Sequence, residues 1–462
     1  MLFNPYKVHL TILQQEGYSV SRFLKWWLGH PTIFILSSKK PLVVTPKVRS
    51  LALLSIFFYL TLAICFLNSK QYLFLTLATF TLIFLPFIYL SLAILFVAPY
   101  EKINRLRVKN NTRKLLQNNP HLKVIGITGS FGKTSVKDIL FTILNSFQPT
   151  IKTPESYNTI MGIVRVVQME LISKTRFFVC EMGAYVRGEI AEICNVVVPE
   201  YAILTAIGSQ HLERFKTLKN TTLAKFELID AVKPQNALVN IDNSLIKKHL
   251  SLPQYKKVKT YSLSDSRADF YVSKYLLTPQ GVSFQLRYQS KNIAFSSTLF
   301  GTSNLYNLVA AISQSLLLHV PVSAIQKAVS SLSPSPHRLE LKKINQATLI
   351  DNAFSSNEEG LVAIIQDLKK LKGKKVFITP GIVELGSQTA TVHRKIGKLA
   401  SSVFDQIILV GRSDRTKNLE EGINQTNKII YIENSTNLWP LITKLSQKYD
   451  WILLENDLPD NY

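Results

Sequence analysis

The sequence predicts an α/β protein that has a transmembrane helical hairpin near its N-terminus and two α/β domains behind it. Two uncharged apolar runs, at 50–69 and 71–100, are each long enough to cross a bilayer. From Leu122 to the C-terminus, strand-like and helix-like segments alternate, which is typical of mostly parallel sheets covered by helices. A stretch rich in Pro and Ser at 331–337 separates a central from a C-terminal domain.

Composition excludes several classes of protein. Of the 462 residues, 47% are hydrophobic and only 18% are charged, which excludes a disordered chain. The three cysteines form no CxxC pair and are too few for a disulfide scaffold, so we expect a reduced, intracellular protein. The 54 Lys and Arg against 30 Asp and Glu give a net charge of +24, which favours nucleic acid or an anionic membrane surface as partner.

The charges around the apolar runs favour the membrane, and we expect no nucleic-acid partner. The connecting turn at 68–72 holds only Lys70, whereas ten basic residues flank the hairpin: Lys39, Lys40, Lys47, Arg49, Lys102, Arg105, Arg107, Lys109, Arg113 and Lys114. Positive flanks stay inside, so both termini and the α/β domains are expected on the cytoplasmic side, with lipid contact through residues 50–100. Pro86 would kink the second helix. A buried hairpin of a soluble domain is the alternative. The segment 19–28 mixes basic and aromatic residues and fits either an interfacial or an ordinary amphipathic helix.

A glycine loop follows the first predicted strand of the central domain. The apolar segment 122–128 leads into Gly129-Ser130-Phe131-Gly132-Lys133-Thr134-Ser135, and a helical stretch comes next. Strand, glycine loop and helix are the context of a phosphate cradle, in which backbone N–H groups and the helix N-terminus face the phosphates. Lys133 would reach the β- and γ-phosphates and Thr134 would hold Mg²⁺. The spacing is the short GxxGK[ST], not GxxxxGK[ST]. The candidate nucleotide-binding residues are Gly129, Ser130, Gly132, Lys133, Thr134 and Ser135.

A series of motifs in the same order resembles those of the Mur ligases, the ATP-dependent amide-forming enzymes of peptidoglycan synthesis. The motifs are TGSFGKTS at 128–135, TPESYNTIMG at 153–162, EMGAYVRGEI at 181–190, GSQHLERF at 208–215, AKFEL at 224–228, GTSNLYNLVAA at 301–311, HRLE at 337–340, DNAFSSN at 351–357 and TPGIVELG at 379–386. Within the family, the resemblance is nearest to the type that joins D-alanyl-D-alanine to a UDP-N-acetylmuramoyl-tripeptide.

The resemblance implies a division of the chain. It places a central P-loop-type ATP-binding domain with a mostly parallel sheet at 121–332 and a C-terminal Rossmann-like α/β domain at 333–462. Before these we expect an N-terminal cytoplasmic or interfacial segment at 1–45, the hairpin at 46–100 and a basic linker, or a helix facing lipid headgroups, at 101–120.

The same resemblance implies the cofactors ATP and Mg²⁺ and a role for each site residue. ATP would phosphorylate a carboxylate to an acyl phosphate, which the amine of an amino acid or dipeptide attacks. The charge that builds up on the transferring oxygens is stabilised by cations. Thr134 and Glu181 would bind one Mg²⁺, and Glu181 and His211 a second. Lys225 matches the lysine that is carbamylated in the family, and a carbamate could also bind Mg²⁺.

Three further residues would complete the nucleotide site when the two domains close at the 331–337 hinge. Asn304 would contact adenine, Arg338 the phosphates and Asp351 the ribose. The residues alone also allow structural roles: Lys225 as a solvated helix lysine, His211 as a core or turn histidine, Asp351 as a helix N-cap, and Asn304 with Asn307 at a helix start.

The sequence departs from the family at both ends. The apolar hairpin stands where a soluble domain usually holds the UDP-sugar, and residues 454–461 replace a KGS-like signature. Asn352 stands where a second Asp is usual, and Ser355 replaces an Asn.

The ordered motifs favour the hypothesis of a ligase that acts on a peptidoglycan precursor. The alternatives are a Mur-like ligase with a different acceptor, lipid-linked or not, a non-catalytic membrane scaffold for cell-wall enzymes, and a nucleic-acid ATPase.

Overall fold

The computed structural model describes residues 5–29, 42–68, 76, 87–154, 157–210, 212–354, 356–433 and 438–456. These residues form two compact units, of which the first ends at Val108 and the second begins at Lys109. The predicted turn at 69–72, Pro86, His211, Ser355 and the C-terminal residues 457–461 lie outside the described residues.

The first unit is helical. Its helices are α1 (Pro5–Gln15), α2 (Val20–Gly29), α3 (Pro46–Asn68) and the part of α4 (Phe87–Gln117) up to Val108. Their small common core includes Leu13, Phe23, Leu51 and Leu90, all fully or almost fully buried. The segment 19–28 is thus helical and buries one aromatic face through Phe23.

Two of these helices are long and apolar enough to cross a membrane, judged by length and composition only. They are Pro46–Cys65 within α3, with a mean hydropathy of 2.0, and Phe87–Gln117, with a mean hydropathy of 1.2. Large apolar side chains such as Leu53, Phe57, Leu95 and Phe96 are exposed on them. The basic segment after position 100 is a continuation of α4 as far as Gln117, so it is a helix and not an extended linker.

The central domain is built on a nine-stranded sheet with the order β2-β3-β1-β4-β5-β6-β7-β8-β9, in which every pair from β2 to β7 is parallel and the last two pairs are antiparallel. The strands are β1 (Lys123–Thr128), β2 (Thr150–Lys152), β3 (Phe177–Glu181), β4 (Tyr201–Leu204), β5 (Ala237–Asn240), β6 (Lys259–Ser262), β7 (Phe270–Thr278), β8 (Gly281–Tyr288) and β9 (Lys291–Ser297). The helices are α5 (Lys133–Asn145), α6 (Ile160–Glu170), α7 (Glu189–Val197), α8 (Leu212–Phe215), α9 (Leu218–Asp230), α10 (Ser244–His249), α11 (Thr302–Leu317) and α12 (Val322–Ser330).

Buried β-branched residues make the inner strands, as expected for a parallel sheet covered on both faces. In β1, Val124, Ile125 and Ile127 are 5% exposed or less. Gly126 allows α9 to approach this strand closely, because an added Cβ would lie 2.6 Å from a methyl of Leu228. This contact brings the helix that carries Lys225 against the sheet.

The C-terminal domain has a six-stranded sheet with the order β10-β11-β15-β12-β13-β14, parallel except for the β10–β11 hairpin. Its strands are β10 (Glu340–Ile344), β11 (Ala347–Asn352), β12 (Lys375–Thr379), β13 (Gln406–Val410), β14 (Ile429–Ile432) and β15 (Trp451–Glu455). Its helices are α13 (Glu358–Lys369), α14 (Thr389–Ser401), α15 (Asp414–Gly422) and α16 (Leu438–Leu445). The predicted α/β class with mostly parallel sheets is confirmed.

Hydrogen bonds join the central and C-terminal domains on both sides of the 331–337 segment. Asp367 on α13 accepts bonds of 2.7 Å from the backbone N–H and from the hydroxyl of Thr302, at the start of α11. Within the segment itself, the Ser335 hydroxyl donates to Asp138 at 3.1 Å. Asp138 lies on α5, directly behind the phosphate loop, so the predicted hinge is bonded to the nucleotide-binding helix.

Close packing of α14 on α15 generates a stability prediction. A Cβ added at Gly397 would lie 2.2 Å from the backbone oxygen of Leu419, so the helices would have to move apart. Gly397→Ala is expected to lower the free energy of unfolding by about 1–3 kcal/mol, which is typical of an overpacked core. The exposed neighbour Lys398 is the control, since Lys398→Ala should change it by less than about 0.5 kcal/mol. Equal urea midpoints for the two variants would contradict the prediction.

Candidate active site

A cavity of about 510 Å³ lies between the central and C-terminal domains. It collects eight of the residues that the sequence predicts for the site: Ser130, Gly132, Lys133, Thr134, Ser135, Glu181, Asn304 and Arg338. Gly129, Lys225 and Asp351 are not in its lining, and His211 lies outside the described residues.

The glycines of the phosphate loop are required by its geometry. Gly129 has φ of 153° and Gly132 has φ of 82°, both in the region that favours glycine. An added Cβ would lie 2.0 Å from the Thr205 hydroxyl at Gly129 and 2.7 Å from Asn307 Oδ1 at Gly132. Lys133 Nζ donates to the carbonyl of Gly129 at 2.7 Å and to that of Ser130 at 3.3 Å. The loop therefore closes around the lysine ammonium.

Burial lowers the pKa of Lys133, and the positive charge of Arg338 lowers it further, while Glu181 opposes both. The ammonium is thus held in a poorly solvated place by carbonyl oxygens. Such a cation is stabilised by any anion that enters the cavity.

Glu181, at the carboxyl end of β3, is the central acid of the site and is 1% exposed. One carboxylate oxygen, Oε2, accepts a hydrogen bond of 3.0 Å from the Thr134 hydroxyl and lies 3.2 Å from Lys137 Nζ. The other, Oε1, accepts a bond of 3.3 Å from the Asn158 side chain. The predicted pair of Thr134 and Glu181 is therefore brought together.

Sequence reasoning missed Lys137 and Asn158 as partners of Glu181. Lys137 is fully buried and lies four residues after Lys133 on the same helix, a spacing that could have indicated a shared face. Asn158 belongs to the TPESYNTIMG motif, so its place in that motif was the available signal.

Lys225 is buried on α9, only 3% exposed, which excludes the interpretation of a solvated helix lysine. Burial, followed by the charge of Lys133, lowers the pKa of Lys225 to about 7, against the opposing charges of Glu189, Glu227 and Glu181. A substantial fraction of Lys225 is therefore an uncharged, nucleophilic amine near neutral pH.

The start of α11 supplies a polar wall of the cavity. The Asn304 side chain donates to the carbonyl of Phe300 at 2.9 Å, and that of Asn307 donates to Asn304 Oδ1 at 3.4 Å. Both asparagines line the cavity, beside residues that sequence reasoning did not single out: Asn240, Asp242, Asn243, Tyr261 and Tyr306. The Tyr306 hydroxyl donates to Asp242 at 2.9 Å. Aromatic faces and amide groups in one wall suit a heterocyclic base.

The C-terminal domain contributes Arg338 to the cavity. Its guanidinium lies 4.0 Å from the centroid of the Phe354 ring. Burial lowers the pKa of Arg338, while the charges of Glu181 and Asp138 raise it. An arginine so placed adds a second cation beside Lys133.

Asp351 lies next to this region but is bonded within its own hairpin. Its carboxylate accepts hydrogen bonds from Lys342 Nζ at 2.8 Å and from His337 Nδ1 at 2.9 Å. Burial raises the pKa of Asp351, but these two bonds outweigh it and the pKa is lowered. Asp351 is not the N-cap of α13, since Asn357 caps that helix by accepting a bond of 2.8 Å from the Gly360 N–H.

Two departures from the family pattern meet at the carboxyl ends of β11 and β15. Asn352 donates to Glu455 Oε2 at 2.8 Å, and Ser356 donates to Oε1 at 2.6 Å. Burial raises the pKa of Glu455 to about 7, partly offset by these bonds. The uncharged amide of Asn352 thus lies next to the buried carboxyl group of Glu455. An Asp at position 352 would place a second negative charge beside it.

Comparison with known proteins agrees with this geometry. The family model described as Mur ligase middle domain matches residues 127–314, and the one described as Mur ligase, glutamate ligase domain matches residues 337–455. The UDP-N-acetylmuramoyl-tripeptide–D-alanyl-D-alanine ligase of Buchnera aphidicola is 30% identical over 66% of this chain and 68% of its own. Its Escherichia coli counterpart is 27% identical over the same shares of the two chains.

Solved structures give the same result. The crystal structure of MurF from Acinetobacter baumannii superposes with a TM-score of 0.68 at 27% identity, over 76% of this chain and 77% of that one. MurF from Thermotoga maritima in complex with ADP shares the fold with the same TM-score at 22% identity, over 76% and 80% of the two chains. The resemblance stated from the motifs is therefore confirmed, and the chain belongs to the Mur ligase family of ATP-dependent amide-forming ligases.

Proposed function

We propose that this chain is a membrane-anchored ligase that adds D-Ala-D-Ala to UDP-N-acetylmuramoyl-tripeptide. The observation that carries the proposal is the single cavity in which Lys133, Thr134, Glu181 and Arg338 meet. The similarity to D-alanyl-D-alanine ligases, over about two thirds of both chains, supports the choice of substrates.

The residues of the cavity fit ATP and Mg²⁺, which Mur ligases use. The phosphate loop leaves no room for a Cβ at Gly129 or Gly132, and Lys133 has its ammonium on loop carbonyls, where phosphate oxygens would stabilise it. Thr134 and Glu181 offer two hard oxygen ligands 3.0 Å apart, of the kind that Mg²⁺ prefers. The Glu181 carboxylate is paired with the ammonium of Lys137, which shows that this carboxylate can bind a cation.

We assign roles on this basis. ATP and Mg²⁺ supply the activating phosphoryl group and the charge neutralisation that a carboxylate needs before an amine can displace its oxygen. Lys133 and Arg338 bind the phosphates from the two domains, while Ser130 and Ser135 line the loop. Asn304 lies where the base would bind. Thr134 and Glu181 would hold one Mg²⁺, and Glu181 and His211 would hold a second.

Two assignments rest on position and not on a contact with the cavity. The amine of Lys225, whose pKa is lowered, can add to CO₂ and release a proton to give the carbamate that the family resemblance implies, which would add an anionic metal ligand. Asp351 is proposed for the ribose, and Lys342 and His337 hold its carboxylate ionised and fixed.

A lipid-linked acceptor is the second candidate. It is favoured by the apolar helices α3 and α4, which stand before the matched region that begins at residue 127. The scaffold hypothesis has little support, because the site contains a buried Glu181–Lys137 pair and two cations, Lys133 and Arg338, without a paired carboxylate among the described residues, which is costly without a function. The membership of the chain in a family of ligases also opposes it.

Membrane anchoring belongs to the proposal as well. Only 22% of the apolar window in α3 and 17% of that in α4 are buried, whereas the core helix of a soluble domain would be mostly buried. The basic continuation of α4 suits the cytoplasmic headgroup region. Both catalytic domains would then be cytoplasmic.

We keep the domain limits predicted from the sequence: 1–45, 46–100, 101–120, 121–332 and 333–462.

The ligase activity is tested by product formation. Detergent-purified protein with ATP, Mg²⁺, bicarbonate, UDP-N-acetylmuramoyl-tripeptide and D-Ala-D-Ala is expected to give the pentapeptide product, detected by mass spectrometry. Lys133→Ala should lower the rate by at least about 10²-fold, because the phosphate-binding cation is lost. The exposed Lys174→Ala is the matched control and should retain activity.

The outcomes separate the candidates. If product forms only with a lipid-linked precursor, the second candidate, a ligase with a lipid-linked acceptor, replaces the first. Nucleotide binding without any amide product would contradict both.

The pKa of Lys225 generates a prediction on stability. The folded pKa is about 7 and the ordinary value is 10.5, so between these pH values the unfolded chain binds more protons. The free energy of unfolding of the wild type, relative to Lys225→Met, should therefore rise with pH, by up to about 1.4 kcal/mol per pH unit. Urea titrations in CO₂-free buffer from about pH 7 to about pH 10 measure this difference. Parallel curves for the two proteins would mean that Lys225 is solvated.

Anchoring is tested on α4 with two exposed leucines. Leu95 lies in its apolar part and Leu115 in its basic part. The wild type should remain with membranes after alkaline carbonate extraction. Leu95→Arg should reduce the retained fraction, since a cation in the hydrocarbon core costs roughly 2.5–3.5 kcal/mol, whereas Leu115→Arg should not. Release of the wild type into the soluble fraction would refute anchoring.

A further inference from the structure

Three buried polar atoms beside the phosphate loop have no hydrogen-bond partner among the described residues. They are Ser209 Oγ, Gln210 Oε1 and Glu359 Oε2. Gln210 and Glu359 line the 510 Å³ cavity, and Ser209 is 8% exposed. All three can accept a hydrogen bond, but only Gln210 and Glu359 belong to the cavity wall. The assigned roles use neither of these two residues.

Packing holds Glu359 against the loop after β4. A Cβ added at Gly208 would lie 2.5 Å from Glu359 Oε1, so only glycine leaves room for the carboxylate there. The Gly208 N–H donates to the Ser130 hydroxyl at 3.0 Å. Gly208 thus lies between the Glu359 carboxylate of the C-terminal domain and Ser130 in the phosphate loop of the central domain.

Among the described residues, no lysine or arginine forms an ion pair with this carboxylate, although the charge of Lys395 lowers the pKa of Glu359 and so opposes the effect of burial. The neighbouring Glu358 forms such a pair, because Lys395 Nζ lies 2.6 Å from Glu358 Oε1. Burial raises the pKa of Glu359, which reflects the cost of a charge with too few partners. Phosphates bound at Lys133 would add further negative charge nearby, so a cation between them and Glu359 would be stabilised by both.

A primary ammonium fits this place better than a metal ion. It carries a positive charge and three N–H donors, which suit the unpartnered oxygens of Glu359 and Gln210 in the cavity wall. Mg²⁺ needs several oxygen ligands in near-octahedral geometry, and the one group of three or more candidate metal ligands among the described residues is His337, Glu340 and Asp351, without Glu359.

We propose that Glu359 binds the ammonium group of the incoming amine substrate, with Gln210 as a neutral acceptor. This inference rests on the proposed ligase function and adds to it the residue that selects a free amino group. It also places the amine on the side of the cavity that the C-terminal domain forms. From that side, opposite the phosphate loop, the amine can approach the activated carboxyl group.

The test compares two neighbouring, isosteric variants in the full-length, detergent-purified protein. Glu359→Gln removes the charge of the proposed ligand, and Glu358→Gln removes that of the Lys395-paired control. With D-Ala-D-Ala as the probe, Glu359→Gln should raise the KM for the amine by roughly tenfold to hundredfold, the loss expected for a hydrogen bond to a charged group. The KM for ATP should stay within about twofold, and Glu358→Gln should leave both constants unchanged.

Each outcome decides a different point. Unchanged melting temperature and fluorescent-nucleotide binding show that Glu359→Gln is folded with an intact nucleotide site. Amide formation by the wild type with equal amine KM values for both variants would overturn this inference and leave the ligase function standing. A shift in Mg²⁺ dependence instead of the amine KM would make Glu359 a metal ligand, which also overturns it. No amide from the wild type would refute the proposed function itself.

Discussion

The buried carboxylate of Glu181 is the constraint on which the rest of the site depends. An acid that is almost fully removed from water must be neutralised and hydrogen-bonded, or folding pays its full desolvation cost. Thr134 and Lys137, both on α5, and Asn158, from the segment before α6, meet this requirement. Satisfying one charge therefore fixes the phosphate loop, the first turn of α5 and the segment before α6 relative to the end of β3.

The surrounding cations give the cavity its chemical character. Lys133 and Arg338 are both buried enough to have lowered pKa values, and neither has a carboxylate of its own within bonding distance among the described residues. The folded chain thus concentrates positive charge where it is poorly solvated. A polyanion that enters replaces lost hydration, and because Lys133 and Arg338 come from different domains it would contact both domains at once.

Local patterns in the sequence were sufficient for the fold class and for much of the site. The alternation from Leu122 predicts the parallel sheets, and the loop around Lys133 is recognised from glycine spacing and its strand–helix context. The pairing of Lys137 with Glu181 was not predictable in this way, because it joins positions 44 residues apart whose side chains meet only after β1 and β3 pair. The N-cap at Asn357 was missed because Asp351 and Asn357 stand at the two ends of the same motif, and the side chains of both suit an N-cap position.

The Asn352–Glu455 contact ties the last strand to the motif that follows β11. Neither position is free to change alone. An Asp at 352 would place two carboxyl groups within hydrogen-bond reach, and one of them would have to keep a proton, whereas removal of Glu455 would leave the amide of Asn352 and the hydroxyl of Ser356 without their shared acceptor. A chimaera that borrows the terminal strand of a relative must therefore exchange residue 352 with it.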